Sequence, residues 1–167
     1  NALCNFWFMQ KDYDRALDAS RKALSAARKT GQRPVLAIVE ANLGDVLINM
    51  GQLDSARLWL DRAGEWLRQP GADDAARFYL DGLYASLYLQ KGDVATARSY
   101  LSRPYDKSRI SPSYMYEHYR RLADYSRRRG DWRRALLYSD KEREYDDSLR
   151  NLQYLNAVAE ISARYSR

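Results

Sequence analysis

The sequence predicts an all-α chain made of a repeated pair of helices, and three observations carry the prediction. Ala, Leu, Arg, Asp and Tyr dominate, and no stretch of four to eight alternating apolar and polar residues reads as a strand. Proline and glycine punctuate the chain at Gly31 to Pro34, Gly51, Pro70-Gly71, Gly92, Pro104, Pro112 and Gly130, each ending one helical pattern or opening the next. Four turns also align: Lys11-Asp12-Tyr13 with Ala16, Gly51-Gln52-Leu53 with Ala56, Gly92-Asp93-Val94 with Ala97, and Gly130-Asp131-Trp132 with Ala135, their alanines 40, 41 and 38 residues apart.

Upstream of the turns sit large-small pairs, Leu3-Cys4, Leu43-Gly44, Tyr84-Ala85 and Leu122-Ala123, followed three residues on by Trp7, Leu47 and Tyr88, with Ser126 breaking the series. Ala23 and Ala63 lie seven residues after their turn alanines, on the same helical face, where a small side chain lets two helices approach. Such a pair cannot bury its apolar face alone, so neighbours stack. Leu43, Leu47, Leu60, Tyr84, Tyr88, Leu101, Leu122 and Trp132 are the expected core. Trp59 and Trp66, seven apart, read as a packing stripe or as an exposed anchor for a partner.

These residues resemble the tetratricopeptide repeat (TPR), in which two antiparallel helices carry a small residue in the first helix, Gly-Asp-aromatic at the turn and alanine twice in the second. The resemblance covers nearly the whole chain and implies a right-handed superhelical solenoid of about four helix-turn-helix units of 38 to 41 residues with an extended C-terminal capping helix. The units fall at residues 1–30, 31–70, 71–111 and 112–148, and the capping or linker helix at 149–167. Pro104 stands where the second alanine of the third unit belongs, so that helix should stop near Ser102 and a loose segment Arg103 to Ser111 follow. Glu142 replaces the same alanine in the fourth unit and should loosen its packing.

From Asp131 the helical pattern runs to at least Tyr165, with Tyr145, Leu149, Leu152, Leu155, Val158 and Ile161 expected along one apolar face. That face reads either as a cap over the last repeat or as a helix leading out of the domain. Tyr145 to Asn151 and Val158 to Tyr165 are similar to the end of the repeat region in Bacteroidetes-type membrane-anchored histidine kinases and helix-turn-helix transcriptional regulators. The similarity implies a signal-transducing sensor outside the cytoplasmic membrane and allows a homodimer through this helix. A free cytoplasmic scaffold or adaptor is the alternative. The chain opens at Asn1 in a helix already under way, which suggests a piece of a longer protein, and its mean hydropathy of -0.69 leaves no stretch for a membrane span or direct membrane contact.

Little in the sequence points to chemistry. One cysteine, Cys4, and one histidine, His118, exclude the common Cys/His zinc sites, and His118 reads as a packed or surface residue, not as a base. No phosphate-binding glycine loop or carboxylate pair is present, so the chain reads as a non-enzyme with no cofactor and no metal. Of 28 basic residues 22 are arginine, including Arg127-Arg128-Arg129, but Glu117, Asp124, Asp131, Asp140, Glu142 and Glu144 interleave with them, which disfavours nucleic acid as partner.

What the family resemblance implies instead is a concave groove for a protein or peptide, lined by Asn1, Asn5 and Phe8, by Asn42, Asp45 and Asn49, by Tyr79, Ser86 and Gln90, and by Arg120, Arg121, Asp124 and Arg128. Asparagine and glutamine suit a peptide backbone, and the three arginines suit an acidic group or a C-terminal carboxylate. Arg120, Asp124 and Arg128 are equally an ordinary ladder of charges four residues apart.

Overall fold

The computed structural model describes residues 12–165, with side chains to residue 164. The expected first helix, with Leu3, Cys4, Trp7 and the groove residues Asn1, Asn5 and Phe8, lies outside the described residues. The rest is all-α, in helical hairpins as expected: α1 Tyr13–Thr30, α2 Arg33–Asn49, α3 Leu53–Leu67, α4 Asp74–Lys91, α5 Val94–Leu101, a 3₁₀ turn Lys107–Arg109, α6 Pro112–Arg128 and α7 Trp132–Tyr165. The chain divides into two compact units, Asn1–Tyr105 and Asp106–Arg167.

The repeated turns share one hydrogen-bond scheme. Gly51, Gly92 and Gly130 have φ of 77°, 80° and 72°, a left-handed backbone that glycine adopts without steric cost. Past each glycine, the N–H of Gln52, Asp93 and Asp131 donates to the carbonyl of Leu47, Tyr88 and Ser126, each at 2.9 Å. Ser126 breaks the apolar series but not the turn, because the turn uses its carbonyl. Asp93 and Asp131 then cap α5 and α7 by accepting from the N–H of Thr96 and Arg134, both at 3.0 Å.

In the first unit α2 packs on α1 and α3, and α4 on α3 and α5, while α2 and α4 lie side by side. One core joins these helices through Leu24, Leu43, Leu47, Leu60, Leu67, Leu80, Leu83 and Leu87. Apolar residues surround most of α2 because it is sandwiched. Gly44 allows the close approach to α3: a Cβ there would stand 2.6 Å from Leu60 Cδ2. Trp59 and Trp66 are half-buried against the core, as the packing stripe requires.

The end of this unit differs from expectation. Helix α5 stops at Leu101 with Ser102 as its cap, as Pro104 requires, but the following segment is not loose. Arg103 Nη1 and the Tyr105 hydroxyl donate to the buried carboxylate of Asp81 on α4, at 2.8 and 2.5 Å, and the Tyr105 ring meets Phe78 edge-on at 5.5 Å. At the start of the second unit Asp106 caps the 3₁₀ turn by accepting from Ser108 N at 3.1 Å, and Ile110 is buried. Proline ends a helix; charge and aromatic packing fix what comes after it.

The second unit is the α6–α7 hairpin. Met115, His118, Ala123 and Ser126 are its buried side chains on α6, and Tyr119 stacks on Tyr145 of α7 at 5.7 Å. Leu43, Leu47, Leu60, Tyr84 and Leu101 are buried as expected, and Tyr88 and Leu122 are half-buried. Trp132 is the exception, being 68% exposed, whereas Leu53, its counterpart on α3, packs against the first unit's core. Trp132 opens α7 on the side turned away from α6, where no such core covers it.

Helix α7 runs unbroken through the expected boundary at residues 148 and 149. The expected single apolar face does not persist: Leu149, Leu152, Leu155, Val158 and Ile161 follow at three-residue steps, and each step turns the position back by about 60°. The series therefore winds off the face packed on α6. Residues 151–164 are exposed throughout, so this stretch does not shield the last repeat.

Candidate functional site

Two stripes of half-exposed side chains lie side by side in the first unit. On α2, Ile38, Asn42, Asp45 and Asn49 fall three or four residues apart, and on α4 Tyr79 and Ser86 do the same around Gly82, with Gln90 exposed at the end. The remaining faces of both helices are occupied by Ala41, Val46, Leu80 and Leu83, so the helices cannot rotate without exposing core. The Tyr79 hydroxyl donates to Asn42 Oδ1 at 2.8 Å, linking the two stripes. Asn49 Nδ2 donates to the Asp45 carbonyl at 2.8 Å and to Asp45 Oδ1 at 3.2 Å. The result is a fixed polar strip with amide, hydroxyl and carboxylate groups on a rigid apolar base, able to hydrogen-bond an extended backbone.

The remaining predicted site residues lie on α6. Arg120 Nη1 stands 3.6 Å from Glu117, and Arg128 Nε is 3.1 Å from Asp124 Oδ2. Arg120 and Arg128 thus already face carboxylates of their own helix. Arg121 is half-buried, and its charge helps hold the neighbouring His118 neutral. Burial of His118, with Lys107 and Arg121 nearby, brings its pKa down to about 4. His118 is a packed residue of the hairpin.

Sequence reasoning missed the polar cluster around Asp81. Besides Arg103 and Tyr105, Arg68 approaches that carboxylate to 4.0 Å and lies over the Tyr84 ring at 5.1 Å, while the Tyr84 hydroxyl donates to Asp61. Burial and these carboxylates push the Tyr84 and Tyr105 hydroxyls well above the ordinary tyrosine range, so both stay protonated donors. One signal was available: Asp81 is a lone acid among Leu80, Leu83 and Tyr84. Buried Glu40 lies 3.6 Å from Arg62, and desolvation raises its pKa. Among the described residues no group of three His, Cys, Asp or Glu side chains could hold a metal, and no helix is long and apolar enough to cross a membrane.

Stacked hairpins with identical glycine turns and a polar strip on adjacent first helices define the class: a helical-hairpin repeat protein. Residues 1–69 match the family model of the tetratricopeptide repeat. The fold is similar to the crystal structure of BtubC (BKLC) from P. vanneervenii, with a TM-score of 0.60 and 16% sequence identity over 89% of this chain and 62% of that one. This chain therefore spans less than two thirds of that protein, and at such identity the likeness shows the fold alone. No curated protein matches the sequence.

Proposed function

We propose that the chain is a protein- or peptide-binding repeat module and that the strip on α2 and α4 takes an extended peptide. The observation that carries this reading is the Tyr79–Asn42 bond between two neighbouring half-exposed stripes, which fixes polar groups of both helices on a surface backed by packed core. The match to the tetratricopeptide repeat, an interaction module and not a catalytic one, supports it, and no reaction is assigned. The test is capture on a peptide array. Asn42→Ala/Asn49→Ala should weaken capture by about tenfold or more, the loss of one or two well-made hydrogen bonds; equal capture by parent and variant would move the site off this strip. Amidating the peptide C-terminus separates backbone recognition from the carboxylate role of Arg120, Arg121 and Arg128, since only the latter would then lose affinity.

The finer reading is that this module is the sensory region of a membrane-anchored regulator, placed outside the cytoplasm. It is supported by the resemblance of Tyr145 to Asn151 and Val158 to Tyr165 to such sensors. Reading the full-length gene for an N-terminal signal and an apolar span of about 20 residues tests it; their absence would favour the cytoplasmic scaffold.

A further inference from the structure

Helix α7 presents a second stripe on the side turned away from α6. It begins with Trp132 and Leu136, continues through Asp140, Arg143, Asp147 and Arg150, and ends with Tyr154, Val158 and Ile161, all of them exposed. Successive members are three or four residues apart with a mean near 3.6, so the stripe runs straight along the helix for about 44 Å. Two apolar ends flank a centre of alternating charge. Such a pattern is complementary to itself when reversed.

We propose that this face of α7 pairs antiparallel with the same face of a second copy of this chain, about a two-fold axis beside Tyr145. In that register Arg143 meets Asp147 and Asp140 meets Arg150, each pair occurring twice, while Leu136 meets Tyr154 and Trp132 meets Val158. The charge order selects this arrangement. In a parallel, in-register pair each of the four charged residues would face its own copy, and like charges across an interface suppress such pairing. The face is free to pair because α7 uses its other side, through Tyr145, to stack on Tyr119 of α6. Within one chain Arg143 only approaches Asp140, at 3.9 Å, and Arg150 uses Asp146, at 2.8 Å, both side chains being largely exposed and able to turn to a partner. An isologous two-fold contact also closes on itself, which limits assembly to the dimer.

Sedimentation equilibrium on the full chain tests the proposal. A concentration-dependent monomer–dimer equilibrium is expected. Asp147→Arg, which sets arginine against Arg143 twice, should raise the dimer Kd by about tenfold or more. The swapped variant Arg143→Asp/Asp147→Arg should restore it, and circular dichroism confirms that both fold. In a Cys4→Ser background, Leu136→Cys/Tyr154→Cys should oxidise to a cross-linked dimer while either single cysteine does not. A monomer at all concentrations, as when another protein or another segment of the chain is needed on this face, overturns the proposal. So does a dimer indifferent to the charge reversal, or one cross-linked by a single cysteine to its own copy.

Discussion

His118 and Asp81 are both buried polar groups, and each is settled by what surrounds it. The buried Asp81 carboxylate is held inside the first unit by Arg103, Arg68 and Tyr105, which converge on it. His118 has cations near it and stays neutral. Folded His118 takes up a proton only near pH 4, whereas the unfolded chain does so near 6.5. Its contribution is therefore complete above pH 6.5, declines as pH falls, and is lost by about 3 kcal/mol once pH reaches 4. Urea unfolding of the parent and of His118→Gln between pH 7.5 and 4 should show this as a steeper acid loss in the parent. Parallel pH profiles would mean that the imidazole is solvated.

Among the elements, α5 is the most dependent on its ends. It has eight residues, two of them buried, Ala97 and Leu101, so its packing is sparse and its cap matters. Asp93 accepts from both the N–H and the hydroxyl of Thr96, at 3.0 and 2.6 Å, which holds its carboxyl below the usual range. Asp93→Ala should weaken α5 and show first as faster amide exchange in that helix; unchanged exchange would place the helix's stability wholly in Ala97, Leu101 and the Arg103–Tyr105 anchor. Helix α7 is the opposite case, long and packed over its first half alone. A three-residue apolar step looks helical in sequence, yet it precesses around the helix and cannot hold one face.

At the scale of the molecule, stability belongs to the stack more than to any hairpin. Leu47 lies in a core shared by α1 to α4, and its truncation to alanine should cost about 2 to 5 kcal/mol and lower the melting of the first unit as a whole. A melting temperature equal to the parent's would show that the hairpin register is wrong. Most ion pairs among the described residues join side chains three or four apart on one helix and are exposed, as Lys22–Asp18 and Arg134–Asp131 are, so the net charge of +6 contributes little to the fold. The arginine excess is largely a solvated, locally compensated surface.

The all-α class, the forty-residue hairpin, the glycine turns and most of the core could be read from the residues alone, because these rest on local rules: a left-handed residue at each turn, small residues where helices touch, and leucines at helical spacing. Leu43, Leu47, Leu60 and Leu101 were legible for that reason. The rest depends on contacts between distant segments. Trp132 is apolar and in register yet exposed, because burial needs a neighbour and not only a pattern. Arg103 and Tyr105 are anchored on Asp81, over twenty residues away in sequence, and the Tyr79–Asn42 bond joins residues 37 apart. Which polar groups face one another depends on how hairpins nest, and that is fixed by packing between segments that no local rule connects.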